Sequence, residues 1–268
     1  MNNFPIGIFD SGVGGLSVFK ELYSLLPQEN YIYFGDTKNL PYGNKTSEEL
    51  INISKSIFDY FQTKKVKAVI MACNTTSAIT YDVLKDNYDF RIYPVVQTVA
   101  KTIANSGVKR IGVFATKATI NSHAYKKNIQ AINPDIEVVE IACPEWVNIV
   151  ENELQNEKEA IQNIKMHLDE MMSFNVDKII LGCTHYPFLL GVLTQFAPKE
   201  LFINPAKDFV NYIISDLKNN NLLNDEEANE PKFLVSFSAE QFKSSAKLFF
   251  DVKKAEEIDI STERICLN

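Results

Sequence analysis

Two cysteines of the chain stand in closely similar surroundings. Residues 67–76 carry the sequence KAVIMACNTT and residues 177–187 carry DKIILGCTHYP, so each cysteine follows an apolar run and one small residue. Apolar runs of this length between polar flanks are typical of buried parallel strands. The pattern predicts that Cys73 and Cys183 lie at the carboxyl ends of two strands, directly before helix N-termini, where open α/β sheets bind their ligands.

The chemistry of a cysteine in such a place depends on its thiolate, which is the reactive form. A helix N-terminus lowers the pKa of a thiol, and Asn74, Thr75, Thr184 and His185 supply polar contacts beside the two sulfur atoms. One such cysteine indicates a nucleophile, whereas two in matching positions indicate one reaction carried out from two sides. The alternative is that both are small buried apolar residues, as free cysteines usually are. The matching surroundings favour the chemical interpretation.

Polar residues also follow the first two predicted strands. Asp10 and Ser11 come at the end of the first strand, directly before the glycine-rich turn 12–15 and an amphipathic helix. A strand, a glycine-rich turn and a helix can bind a phosphate, but the G-x-G-G spacing here matches neither common nucleotide-binding motif. Asp36 ends the second strand. The turn 41–43 that follows it could hold a carboxylate with its backbone amides or be an ordinary turn.

Three further residues have a functional and a structural interpretation, and two more have a structural interpretation only. Thr116 and Thr119 follow a later strand, where they can cap a helix or bind a ligand oxygen. Glu151 is either a surface helix residue or part of the site. Cys143 lacks the polar cluster that follows the other two cysteines and is interpreted as structural. His167 stands one position off the apolar stripe of its helix and is predicted to face solvent.

Composition places the chain among ordinary soluble globular proteins. It has 268 residues, 46% of them hydrophobic and 23% charged, with a formal net charge of -7 and a pI of about 5.1. The acidic balance argues against a broad nucleic-acid surface, and no stretch approaches the ~20 apolar residues of a membrane span. The four cysteines fit neither a disulfide framework nor a zinc site. The N-terminus lacks the features of a signal peptide, so we expect a reduced, cytoplasmic protein without a metal.

Strands and helices are predicted to alternate along the chain, which is typical of parallel α/β architecture. The duplicated cysteine unit indicates two similar α/β lobes that face each other. The later part of the sequence favours a helix over 188–196, a polar loop over 219–231, a helix over 239–250 and a short strand over 256–260. The predicted fold class is therefore α/β, with two parallel-sheet domains facing each other across a central active-site cleft.

At these residues the chain resembles the bacterial glutamate racemases of the cofactor-independent aspartate/glutamate racemase family. The matching stretches lie in order at residues 7–18, 33–37, 41–43, 72–75 and 182–187. The first two distinguish glutamate racemases from aspartate and hydantoin racemases, whose cysteine motifs are similar. The chain departs from the family at Ala118, where the family usually has glycine between two threonines.

The resemblance implies two α/β domains with the substrate between them, the second inserted in the first. The N-terminal lobe would span residues 1–96 and be completed by 209–268, and the second lobe would span 97–208. The implied reaction is the interconversion of L- and D-glutamate without a cofactor, which supplies D-glutamate for peptidoglycan. The resemblance also implies a homodimer that binds glutamate, whereas the charge and the composition predict that it binds neither a membrane nor nucleic acid directly.

Racemisation needs one acid/base group on each face of Cα, and the resemblance gives these two roles to the cysteines. Cys73 would deprotonate D-glutamate and Cys183 would deprotonate L-glutamate. Asp10 on the Cys73 side and His185 on the Cys183 side would assist proton transfer or hold the substrate ammonium. The residues expected to bind the substrate are Asp10, Ser11, Pro41, Tyr42, Gly43, Asn74, Thr75, Thr116, Thr119, Thr184 and His185, with Asp36 and Glu151 as second-rank site candidates.

Four other functions are compatible with parts of the sequence. The nearest is racemisation of another amino acid such as aspartate, which an assay of both substrates separates. A two-lobed binding module without catalysis would tolerate Cys73→Ser with its ligand affinity intact. The remaining two are a regulatory protein that binds a topoisomerase, as some family members are reported to do, and a nucleotide-dependent enzyme, which failure to bind ATP or NAD would remove.

Overall fold

The computed structural model describes residues 3–260, and the strands of this part form two sheets. The strands are β1 (Ile6–Asp10), β2 (Tyr31–Gly35), β3 (Ala68–Met71), β4 (Arg91–Pro94), β5 (Arg110–Ala115), β6 (Glu137–Ala142), β7 (Lys178–Gly182), β8 (Phe202–Ile203), β9 (Lys232–Val235) and β10 (Glu256–Glu257). One sheet has the order β10-β9-β2-β1-β3-β4 and the other the order β6-β5-β7-β8. All their pairings are parallel, so the predicted fold class is confirmed.

Helices cover both sheets, as the crossover connections of a parallel sheet require. The α-helices are α1 (Leu16–Leu25), α2 (Ser47–Thr63), α3 (Asn74–Leu84), α4 (Val95–Ala104), α5 (Lys117–Ser122), α6 (Ala124–Ile132), α7 (Trp146–Glu151), α8 (Lys158–Ser173), α9 (Leu190–Leu193), α10 (Pro205–Asn219) and α11 (Ala239–Ala246). Every residue of the cysteine-bearing strand β3 is buried, and so is all of β1 beside it. Burial on both faces explains why these strands are continuous apolar runs.

The chain passes from the six-stranded to the four-stranded sheet and returns. It leaves after β4 through α4, and it comes back through α10. Strand β9 then pairs with β2, so the C-terminal part adds strands to the first sheet. The domain boundaries after residues 96 and 208 stay predictions.

Three predicted elements are shorter in the structure. Residues Tyr186–Leu189 form a 3₁₀ turn, and only Leu190–Leu193 are α-helical, because Pro187 has no N–H to donate and Gly191 is a poor helix former. Helix α11 ends at Ala246, whose carbonyl accepts two later N–H groups, and β10 pairs over two residues only.

His167 lies inside the protein, so the prediction that it faces solvent is wrong. Its side chain is only 8% exposed, and its ring packs at 76° to the indole of Trp146 with the centroids 5.8 Å apart. Its Nδ1 donates to the carbonyl oxygen of Asn163 at 2.9 Å. The hydrogen bond satisfies one ring nitrogen within the helix, and the indole covers the apolar part of the ring.

A buried ion pair ties the returning chain to the first sheet. Lys67 Nζ lies 2.5 Å from Glu29 Oε2, and both side chains are buried. The same ammonium donates to the carbonyl oxygen of Leu222, and the other Glu29 oxygen accepts from the Asn224 N–H at 2.7 Å. These contacts join the start of β3 to the segment that follows α10.

Replacing Lys67 with methionine is expected to lower the free energy of unfolding by about 3–5 kcal/mol, because it leaves the Glu29 carboxylate buried without its partner. Urea denaturation measures this quantity. The control is Lys55→Met, which breaks an exposed pair with Asp59 and should cost about 1 kcal/mol or less. Equal losses in the two variants would contradict the account.

Candidate active site

A cavity of about 390 Å³ lies where loops of the two sheets meet, and both cysteines line it. The loops after β1, β2 and β3 contribute from one sheet, and those after β5, β6 and β7 from the other. The predicted site residues on its wall are Ser11, Pro41, Tyr42, Gly43, Cys73, Asn74, Thr75, Thr116, Glu151, Cys183, Thr184 and His185.

Six wall residues were not predicted from the sequence: Leu40, Asn44, Lys117, Pro144, Val147 and Asn148. Leu40 and Asn44 flank the predicted turn 41–43, and Lys117 lies directly after Thr116. Val147 and Asn148 stand on α7, one helical turn before Glu151, so helical spacing is the signal that could have found them. Among the wall residues described, Lys117 is the only lysine or arginine.

Asp10, Thr119 and Asp36 are the predicted residues that do not form part of the wall. Asp10 is completely buried, and its Oδ2 accepts from the Gly12 N–H at 2.9 Å. Its Oδ1 has no hydrogen-bond partner among the described residues. Burial raises the pKa of the Asp10 carboxyl, against the opposing effect of His185 and the nearby backbone amides. A Cβ at position 15 would lie 2.5 Å from Asp10 Cβ, which is too close for two carbon atoms that are not bonded. Glycine at this position therefore leaves the space that the Asp10 side chain occupies.

Cys73 is the N-cap residue of α3, as its sequence predicts, but its thiol does not have a lowered pKa. Burial raises the pKa of the Cys73 thiol to about 12, and the charge of Asp10 acts in the same direction. Hydrogen bonding from Thr76 at the helix N-terminus opposes both effects and is outweighed. The expectation of a lowered pKa is therefore wrong for this cysteine, because desolvation of the thiolate exceeds the helix contribution.

Cys183 has different neighbours, and the predicted helix does not begin directly after it. Its sulfur lies 3.7 Å from His185 Nδ1, and His185 Nε2 lies 3.0 Å from Glu151 Oε1. Burial lowers the pKa of the His185 imidazole, but Cys183 and Glu151 together outweigh it and raise the pKa to about 10. The imidazole is thus protonated at neutral pH, and its two N–H groups point to the sulfur and the carboxylate.

Three threonine hydroxyls form a closed cluster between the two sheets. The oxygens of Thr75 and Thr116 lie 2.9 Å apart, those of Thr116 and Thr119 3.0 Å, and those of Thr119 and Thr75 3.3 Å. Thr116 also caps α5 by accepting from the Thr119 N–H, which confirms the capping interpretation for Thr116, and ligand binding by the two threonines stays a prediction. Ala118 lies within α5, which needs no positive φ there. Alanine therefore fits in place of glycine.

Asp36 lies behind the cavity wall and supports Tyr42. The Tyr42 hydroxyl donates to Asp36 Oδ2 at 2.5 Å, and Ser236 donates to Asp36 Oδ1 at 2.6 Å. Asn39 adds a third donor at 2.9 Å. This second-rank candidate can act on a ligand only through Tyr42, whereas the other, Glu151, is itself on the wall.

The site therefore combines two thiol groups from different sheets with distinct ionisable neighbours. Cys73 has a buried carboxyl near it, and Cys183 has an imidazolium in contact with it. A neutral thiol on one side, and on the other a sulfur next to a positively charged imidazolium, can exchange protons with a ligand bound between them. In the described part of the chain, no three metal-ligating side chains are grouped as a metal site.

Comparison with known proteins places this arrangement in a family. Residues 7–210 match the sequence profile of the Asp/Glu/Hydantoin racemases. The chain belongs to this family and is an amino-acid racemase. None of the helices between residues 3 and 260 is long and apolar enough to cross a membrane.

Individual relatives are similar over nearly their whole length. Glutamate racemase 2 of Caldanaerobacter subterraneus subsp. tengcongensis is 40% identical over 270 residues, which cover 98% of this chain and 100% of the relative. The crystal structure of glutamate racemase from Francisella tularensis in complex with D-glutamate superposes with a TM-score of 0.92 at 33% identity, covering 98% of this chain and 100% of that one. Glutamate racemase from Thermus thermophilus in complex with β-chloro-D-alanine gives a TM-score of 0.88 at 31% identity, with coverage of 97% and 98%.

Proposed function

We propose that this enzyme interconverts L- and D-glutamate by proton exchange between its substrate and two cysteines, without a cofactor. The observation that carries the proposal is that Cys73 and Cys183 come from different sheets and line the same cavity. The similarity to glutamate racemases supports glutamate as the substrate. Racemisation at Cα requires a proton to leave one face and another to arrive on the opposite face, which two such groups accomplish directly.

The charges around the two cysteines differ, and the difference favours removal of the Cα proton by Cys183. The raised pKa of Cys73 keeps this residue a neutral thiol at neutral pH. His185 is protonated there, and its Nδ1 lies 3.7 Å from the Cys183 sulfur, where it can stabilise negative charge that develops on that atom during proton transfer. In this state Cys183 accepts the Cα proton of L-glutamate, and Cys73 donates its proton to the other face to give D-glutamate. The reverse reaction starts from the opposite protonation state.

The reverse reaction needs a thiolate on Cys73, which burial and the Asp10 carboxylate disfavour. The substrate brings the compensating charge, because its ammonium group can neutralise a carboxylate in a site of low dielectric. Asp10 lies behind the cavity wall, and its Oδ1 has no hydrogen-bond partner among the described residues. We infer that a bound ammonium offsets the Asp10 charge from within the cavity and so lowers the cost of forming the Cys73 thiolate.

The Cα proton of an amino acid is a weak acid, so the site must stabilise the negative charge that develops on its removal. Hydroxyl and amide donors that line the cavity can bind the adjacent carboxylate, including Thr75, Thr116 and Asn74. Asn74 is held by a residue of α6, since its Oδ1 accepts from the Tyr125 hydroxyl at 2.7 Å. Donors fixed in this way need no reorganisation during the reaction.

The family resemblance supports a wider role as well. We propose that the D-glutamate formed here is used for peptidoglycan, that the enzyme acts in the cytoplasm, and that it is a homodimer. The domain division into 1–96 with 209–268 and an inserted 97–208 belongs to the same proposal. Opening and closing of the two domains would admit a substrate to a cavity whose cysteines are buried.

A direct assay tests the reaction and its specificity. Purified enzyme is incubated with L-glutamate without pyridoxal phosphate, and the ellipticity of the solution is followed to zero. We expect complete loss of ellipticity with L-glutamate and a much slower change with L-aspartate. Activity with aspartate alone would overturn the substrate assignment, and no change with either amino acid would favour a binding module.

A further inference from the structure

The imidazole of His185 has a further neighbour besides Cys183, Thr184 and Glu151. The ring of Phe249 packs against it with the centroids 5.7 Å apart and the planes at 81°. Phe249 is only 3% exposed, although it lies in the segment after α11 that has no regular secondary structure. His185, which follows strand β7 of the four-stranded sheet, is thus covered by Phe249, which follows strand β9 of the six-stranded sheet.

Two contacts hold Phe249 in this position. Its ring packs on Phe188 with the centroids 4.3 Å apart, and Phe188 lies in the 3₁₀ turn directly after His185. Its N–H donates to the carbonyl oxygen of Ala246 at 2.8 Å, which closes the end of α11. The contact between Phe249 and His185 is edge-to-face, and such contacts favour one relative orientation of the two rings.

We propose that Phe249 is a positioning residue that holds the His185 imidazole in line between Cys183 and Glu151 and thereby supports proton transfer at Cys183. This inference rests on the proposed racemase function. The polar contacts fix the two nitrogens of the ring, and Phe249 limits the rotation that would move Nδ1 away from the sulfur. A shift of about 1 Å in such a contact can cost a large part of the rate.

The same C-terminal segment also reaches the other side of the cavity. Ser236, directly after β9, donates to Asp36, and Asp36 in turn accepts from the hydroxyl of the wall residue Tyr42. Residues 236–249 therefore contact Asp36 on one side of the site and His185 on the other.

The titratable groups that face the imidazole come from three elements. Cys183 lies on its own loop, Glu151 on α7, and Asp10 at the end of β1 interacts with it at longer range. A change at Phe249 leaves all three in place. Any altered titration of His185 in a Phe249 variant is therefore due to the lost ring contact and its geometry.

Phe249→Leu tests the proposal, with Phe250→Leu as the matched control. Phe250 is the adjacent residue of the same type, and its ring contacts are with Phe19, Tyr23 and Phe233. We expect Phe249→Leu to lower kcat about 10-fold or more, with a smaller change in KM. The alkaline limb of the pH profile should move to lower pH. Phe250→Leu should change kcat less than about 2-fold, and Phe249→Tyr, which keeps the ring, should restore most of the activity.

An NMR titration of the histidine rings gives a readout that does not depend on activity. His185→Asn identifies the signal, and the pKa of His185 is expected to fall in Phe249→Leu and to stay unchanged in Phe250→Leu. An unchanged pKa and pH profile in Phe249→Leu, with a loss of thermal stability like that of Phe250→Leu, would overturn the proposal. If the wild type fails to racemise glutamate but the titration shifts, the positioning of His185 stands and only the proposed function fails.

Discussion

Replacement of either Cys73 or Cys183 by alanine is expected to reduce racemisation by at least about 10³-fold, because each thiol serves one face of Cα and the alanine side chain has no proton to exchange. Measurement of the ellipticity of L-glutamate and of D-glutamate solutions checks the loss in both directions. Both directions must fall together, since the equilibrium constant of a racemisation is one and fixes the ratio of the two kcat/KM values.

The remaining thiol in each variant should still exchange one proton. Cys73→Ala keeps Cys183, so it should incorporate solvent deuterium slowly into L-glutamate without forming D-glutamate. Cys183→Ala should do the same with D-glutamate only. Cys143→Ala is the control, because Cys143 is buried and not on the cavity wall. A Cys73→Ala enzyme that racemises near the wild-type rate would contradict the two-thiol mechanism.

His185→Asn is expected to lower kcat by about 10²-fold, because it removes the imidazolium that stabilises a thiolate on Cys183. In the wild type this support is present at neutral pH and is lost as the pH rises through about 10, the pKa of His185 in the folded protein. The kcat of the wild type should therefore fall at high pH. The variant should lack that dependence.

The same group contributes to stability with a defined sign. The pKa of His185 is raised from 6.5 to about 10 on folding, so its contribution is fully present below pH 6.5 and is lost as the pH rises through about 10. Urea denaturation should show a difference between wild type and His185→Asn that shrinks across this range. His123→Asn, at an exposed histidine, is the control. A difference that does not change with pH would contradict the protonation state assigned to His185.

The fold could be predicted largely because its signals are local. The cysteine-bearing strands are apolar throughout, and burial on both faces of a parallel strand produces that pattern. The capping box at Thr46 and Glu49 is likewise visible in the sequence and present at α2. The helix predicted over 188–196 is reduced to Leu190–Leu193, because the 3₁₀ turn that contains Pro187 includes its first two residues and Gly191 is a poor helix former.

Most of the site residues that could be predicted follow strand ends. The pairing of Glu151 with His185 joins two elements far apart in sequence, and no local pattern indicates it. The contact of Phe249 with His185 could not be predicted from a local pattern either, because Phe249 is an apolar residue near the chain end. The charge state of Cys73 depends on complete burial beside Asp10, which outweighs the helix N-terminus that the sequence does indicate.

The most direct test of two thiols acting on opposite faces is the fate of the Cα proton in D₂O. Wild-type enzyme is incubated with L-glutamate in D₂O, and the early mixture is separated by enantiomer and analysed by mass spectrometry. The account predicts that the D-glutamate formed carries deuterium at Cα while the remaining L-glutamate keeps its original proton. D-Glutamate that retains the proton of the substrate would show that a single group serves both faces and would contradict the account.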